Sequence, residues 1–173
     1  MRLGTPARDS GVIASLTSSA TTTEAQFEDA FERHWRGVFR FALASTNDVG
    51  AAEDLAQDAY SRLWEQRKNI DWSKPVLPWL LVTTRRLAID RFRSLRRWML
   101  IGGADSHRSD GIHERWLDTQ RAMDQLSRHE RLSIVLTAIE GYSTDEAATI
   151  LGVSAGAVRA AVSRARAKLE ATA

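Results

Sequence analysis

The chain contains no cysteine among its 173 residues, which rules out disulfides and thiolate metal sites and makes a reducing cytosol its natural home. Proline occurs only three times, and no long stretch alternates apolar with polar residues, so a strand-built fold is disfavoured. No apolar run approaches the roughly 20 residues a helix needs to cross a bilayer. A membrane is therefore not an expected partner. The histidines His34, His107, His113 and His129 are scattered without the spacing of metal ligands, and neither a metal nor a cofactor is expected. These absences leave an all-α chain, long enough to bury a core as one domain or as two small ones.

What is present is charge, unevenly spread. The net charge is only +2, but from Glu24 to Trp72 ten acidic side chains face six basic ones, whereas from Ser73 to Ile101 seven basic ones face a single acid. The two blocks should meet different partners, and a basic block in a helical cytosolic protein is most simply a nucleic-acid surface.

Along the chain, residues 1–23 are rich in Ser, Thr, Ala and Gly and read as a disordered tail. Thr23 with Gln26 forms a capping box, and Phe27, Phe31, Val38, Phe41 and Ala42 predict a first helix from about Glu24 to Ala44. Asn47 and Asp48 open a second helix ending near Lys68, with Ala52, Leu55, Ala59, Tyr60 and Leu63 inside. Its wet face carries Asp54, Asp58, Ser61 and Glu65, an acidic stripe that suggests a basic partner as readily as plain solvation. A loop from Asn69 to Leu77 precedes a third helix, with Pro78 in its first turn. There Leu81, Thr84, Ala88, Phe92 and Leu95 predict a buried stripe and Arg86, Arg93 and Arg97 another face. Asp90 is spaced to pair with Arg86 and Arg93.

Gly102 to Gly111 has the composition of a flexible linker. Beyond it Ser127 with Glu130 forms another capping box, and Leu132, Val135, Leu136 and Ile139 predict a supporting helix. Ser143 with Glu146 caps the next one, Gly152 marks a tight turn, and Ser154 caps the last. That order is the sequence form of a DNA-reading helix-turn-helix. In the last helix Val158, Val162, Ala165 and Leu169 form a stripe, which turns Ala160, Ser163, Arg164 and Ala167 outward, with Arg159 at their edge. Small residues there let a helix sit deep in a major groove while arginines reach guanine edges or phosphates. The competing reading is an ordinary helical hairpin with solvated arginines.

The chain resembles the extracytoplasmic-function (ECF) sigma factors of the bacterial sigma-70 family. Three segments carry the likeness: Ala52 to Tyr60 with Leu63 and Trp64; Pro78-Trp79-Leu80 through Arg85 to Arg91; and Glu140 to Ser143 through Arg166. The resemblance implies a tail at 1–23, sigma region 2 at 24–98, a linker at 99–113 and sigma region 4 at 114–173, two small helical bundles on a string. It implies a cytoplasmic protein that directs RNA polymerase to promoters and catalyses nothing itself. Its partners would be core polymerase, through the β′ clamp and β flap, and promoter DNA, duplex at the −35 element and single-stranded at the −10 element. An anti-sigma factor is left open as a third.

The implied core-binding residues are Glu53, Asp54, Gln57 and Asp58. Those for the −10 element are Trp72, Arg85, Arg86, Asp90, Arg93 and Arg97, since an unpaired strand needs cations and surfaces for unstacked bases. For the −35 element they are Ser154, Arg159, Ala160, Ser163 and Arg164. Trp64 and Trp79 read as core residues. The chain departs from the family pattern at Arg86, where Asn is frequent, at Leu126-Ser127 in place of Leu-Pro, and at Ala161, where a basic residue is frequent. The last two departures are expected to bear on promoter sequence. Two rivals compete. A free-standing helix-turn-helix regulator would need a dimer interface and would leave the acidic stripe unexplained; an enzyme would need a use for Glu53, Asp54 and Asp58 that no histidine pattern supports.

Overall fold

The computed structural model describes the backbone of residues 10–100 and 123–171, and side chains from Thr22 onward within them except at 98 and 99. Among these residues the secondary structure is entirely helical: α1 (Ser10–Thr46), α2 (Val49–Gln66), α3 (Leu77–Leu100), α4 (Arg128–Ile134), a π-helical segment (Val135–Ile139), α5 (Thr144–Leu151) and α6 (Ala155–Glu170). None of the described helices is long and apolar enough to cross a membrane. The linker expected at 99–113 lies, past Leu100, outside the described residues, and residue 100 still belongs to α3.

α1 departs most from expectation. It reaches back to Ser10, so Thr23 and Gln26 lie within the helix rather than capping it, and the expected tail is helical from Ser10 onward. No Gly or Pro interrupts the sequence between Gly11 and Gly37, and a helix once nucleated extends until a breaker stops it. Its other end is sharply defined. Asn47 takes a left-handed φ of 56°, a conformation Asn tolerates after a helix C-terminus. Asp48 then caps α2, its Oδ1 accepting from the Ala51 amide at 2.7 Å.

α1, α2 and α3 enclose a first core that includes Val38, Ala42, Leu55, Leu63, Leu80 and Ala88. The expected α3 stripe is only half correct. Leu81, Thr84 and Ala88 are fully buried, whereas Phe92 and Leu95 are 41% and 40% exposed. The period identifies a face correctly but does not say how far along it a partner extends. Trp79 is half-buried against this core as expected. Trp64 is instead 39% exposed, with the Arg67 guanidinium 3.9 Å over its ring and Phe27 meeting it edge-on.

The two bundles pack against each other. The second core joins Leu132, Val135 and Leu136 to the inner faces of α5 and α6, and it is completed by Phe41, Ala44 and Leu81 from the first half. Phe41, Leu81 and Leu136 are wholly buried, each worth about 1.5–3 kcal/mol against exposure. Polar contacts follow the same seam. The Arg40 guanidinium donates to Glu140 Oε1 from Nε at 2.8 Å and from a terminal nitrogen at 2.6 Å. Arg131 Nε donates to the Ala44 carbonyl at 3.1 Å. This partly exposed ion pair contributes less than the apolar contacts, so burial dominates the seam. Two glycines permit its closeness: a Cβ at Gly37 would lie 3.1 Å from Glu140 Oε2, and one at Gly152 would lie 2.6 Å from a terminal nitrogen of Arg85.

Candidate nucleic-acid interface

The helix-turn-helix is built as its residue types require. Ser143 and Glu146 form a complete capping box, with the Ser143 amide donating to Glu146 Oε2 at 2.8 Å. Gly152 ends α5 in the left-handed region at φ 61°, where a side chain would be strained as well as crowded by Arg85. Ser154 caps α6 by accepting from the Ala157 amide at 3.2 Å.

α6 buries Val158, Ala161 and Ala165, with Val162 and Leu169 half-buried beside them. The expected stripe is therefore right in direction but rotated toward Ala161, which is fully enclosed. A long basic side chain would not fit there, so the departure at Ala161 concerns packing and not promoter sequence, contrary to expectation. At Leu126-Ser127, Ser127 caps α4 in a complete capping box, which makes that departure a matter of helix initiation too. Ser154, Arg159, Ala160, Ser163 and Arg164 are all exposed. They are not equivalent. Arg159, Ser163 and Arg166 line one surface groove with Thr137 and Thr144, whereas Arg164 leans the other way onto Glu130, Nε to Oε1 at 3.2 Å. Lys168, one turn on, meets Glu130 Oε2 at 2.7 Å.

Glu130 is the residue whose full role the sequence hides. Its backbone position as third residue of a capping box is legible, but its side chain is 4% exposed and answers two cations from α6. Hydrogen bonding from Lys168, then from the Ser127 backbone, pulls its carboxyl from 4.5 down to about 2 despite burial. No local signal predicts partners 34 and 38 positions away.

On α3, Arg86, Arg93 and Arg97 are exposed, as is Asp90. The expected salt bridges from Asp90 to Arg86 and Arg93 do not form; among the described residues Asp90 makes no ion pair with either. Helical spacing brings such side chains within reach of one another, but at exposed sites the pairing energy barely offsets lost side-chain freedom. Asp90, Arg93 and Arg97 instead border a shallow groove with Arg96, Ser94 and Leu100. Arg85 is half-buried at the seam against Gly152, apart from the arginine row. Trp72 is half-buried against the first core, and its Nε1 donates to the Arg67 carbonyl at 2.9 Å.

On α2, Glu53, Asp54, Gln57 and Asp58 are exposed together. The stripe is not purely acidic in its surroundings, since Arg91 of α3 meets Asp54 Oδ2 at 3.3 Å. One chain thus presents an acidic helix face, a helix with an outward row of arginines, and a helix-turn-helix.

Comparison with known proteins decides the family. The family model for Sigma-70 region 2 matches residues 30–98, and that for Sigma-70, region 4 matches residues 117–169. The RNA polymerase sigma factor NccH of Alcaligenes xylosoxydans xylosoxydans is 30% identical over 84% of the chain and 85% of its own length. The chain belongs to the sigma-70 family, among its ECF sigma factors. The probable RNA polymerase sigma factor RfaY of Xanthomonas campestris pv. campestris is 36% identical over 75% of this sigma factor, which spans 36% of that longer protein. The ECF RNA polymerase sigma factor SigL of Mycobacterium tuberculosis is 29% identical, covering 85% of this chain and 88% of SigL. Among solved structures, CnrH in complex with the cytosolic domain of CnrY matches with a TM-score of 0.59 at 29% identity, over 84% of this chain and 86% of that one. The sigma factor RpoE in complex with the anti-sigma factor NepR from Bartonella quintana shares the fold, with a TM-score of 0.70 at 24% identity over 83% of this chain and 94% of RpoE.

Proposed function

We propose that this sigma factor docks on core RNA polymerase through the α2 face of Glu53, Asp54, Gln57 and Asp58, holds the unpaired −10 strand along the outward arginines of α3, and reads the −35 element with α6. The chemistry of transcription belongs to the polymerase; the chain supplies binding and position, in the cytoplasm. The observation that carries this reading is the joint exposure of the four α2 residues beside a helix of opposite charge. An acidic face seeks a cationic protein surface, and a basic face seeks phosphate. An anti-sigma factor is a further expected partner, as NepR is for RpoE.

The test is reconstitution with core polymerase. The wild-type chain should co-elute with core, and Asp54→Lys with Asp58→Lys should weaken the association, mainly through slower binding and an altered salt dependence. Equal core binding by the double variant at low and high salt would remove the α2 face from the proposal.

A further inference from the structure

α6 has two flanks of unlike character, and a single carboxylate makes them unlike. Taking 100° per residue, Arg159 and Arg166 fall on one side of the outward face and Arg164 and Lys168 on the other, with Ala160, Ser163 and Ala167 between. On the first side Arg159, Ser163 and Arg166 border an open groove that Glu170 also lines, with no ion pair between Glu170 and either arginine among the described residues. On the second, Glu130 holds Arg164 Nε at 3.2 Å and Lys168 Nζ at 2.7 Å. Glu130 is itself locked, because its Oε2 also accepts from the Ser127 amide at 2.8 Å and its side chain is almost sealed from water. A carboxylate so enclosed does not readily release its cations, since parting them would leave a buried charge without a partner.

We infer that Glu130 is a positioning residue for −35 recognition: it anchors Arg164 and Lys168 on one flank of α6, so that Arg164 touches only the phosphate backbone and the Arg159, Ser163 and Arg166 flank reads base edges. The inference rests on the reading of α6 given above. With Nε committed, the terminal nitrogens of Arg164 remain on an exposed side chain, enough for a phosphate contact. What the anchor restricts is placement: Arg164 is held toward Glu130 on one flank of α6, away from the middle of the outward face where a two-pronged guanine contact is centred. Glu130 also fixes the turn of α6 about its axis, because two anchors one helical turn apart resist rotation.

The experiment uses holoenzyme assembled from core polymerase and the full chain, transcribing a promoter library randomised at the −35 element. Arg159→Ala or Arg166→Ala should relax preference at one position by about ten-fold, the scale of a lost base contact. Arg164→Ala should weaken all −35 sequences alike and lower the salt slope by about one unit. Glu130→Gln keeps the size and the capping hydrogen bonds but loses the charge; it should free Arg164 and shift preference at a −35 position. In the Glu130→Gln, Arg164→Ala double variant that shift should vanish. A purely structural Glu130 would lower thermal stability without moving the preference, and that result overturns the inference. So does a change of preference on Arg164→Ala alone, a test that needs no change in the buried site. If neither Arg159→Ala nor Arg166→Ala alters preference, while the wild type shows no −35 dependence, the reading of α6 itself falls and the inference with it.

Discussion

Glu130 shows at the residue scale how one side chain can serve folding and reading together. Its carboxyl is pulled from 4.5 down to about 2, chiefly by Lys168, then by the Ser127 backbone. Because the folded-state value lies below the ordinary one, this group stabilises the chain fully above about pH 5, and that contribution drains away as pH falls toward 2. Glu146 and Asp71 are also held low, by hydrogen bonds led by those from Ser143 and Ser73, so several carboxylates act in the same acid range. Comparison with Glu130→Gln isolates one of them. Chemical denaturation at pH 7 and pH 3 should show the variant losing less stability between the two than the wild type does. Equal losses would mean that the carboxylate gains nothing from its cations. The pairing itself was illegible in the sequence: the capping box needs only positions 127 and 130, whereas the clamp needs α6 folded back against α4.

At the scale of elements, periodicity located faces well and extents poorly. The spacing of Ala52, Leu55, Ala59, Tyr60 and Leu63 gave the inner face of α2, and all five are buried, because that helix is covered along its length. On α3 the same arithmetic failed after Ala88. Phe92 and Leu95 continue the period, yet they are 41% and 40% exposed, and the Arg128 guanidinium lies 4.5 Å from the Phe92 ring. The π-helical segment was also invisible. Leu132, Val135, Leu136 and Ile139 read as a continuous helix, but Val135–Ile139 is π-helical and Ile139 is 48% exposed, with Glu140 just beyond it on Arg40. Replacing Arg86, Arg93 and Arg97 with Ala should spare core binding, slow promoter melting and flatten its salt slope by about one unit per lost phosphate contact. Permanganate reactivity of unpaired thymines reads this directly; wild-type reactivity in the triple variant would return these arginines to the solvated surface.

The described parts of the two bundles are packed together, and that docking bears on how the protein works. The two helical bundles expected from the sequence are both present, and they dock: Phe41 and Leu81 share a core with Leu136 and Val158. No local pattern announces such docking, since a residue that faces its own bundle and one that faces a neighbour look alike in sequence. The elements to be read are separated by about 25 base pairs, or roughly 85 Å at about 3.4 Å per pair. Halves that share side chains in one core cannot reach both, so binding polymerase and promoter should pull them apart. Fluorophores on exposed sites outside both binding faces, such as Lys68 and Ala171, should therefore report a short distance in the free chain and a much longer one with core polymerase. Arg40→Ala, which removes one tie across the seam, should shift the free chain toward the long distance. An unchanged short distance in the holoenzyme would rule out opening.

This chain makes core RNA polymerase start at chosen promoters. Run-off transcription from genomic fragments, with core polymerase freed of other sigma factors, tests it most directly. Defined start sites should appear only when the chain is added, preceded by shared −10 and −35 sequences, and should be lost when α6 is disabled by Arg159→Ala with Arg166→Ala. Transcription indifferent to the chain, with tight binding of the isolated protein to a two-fold symmetric duplex, would contradict it.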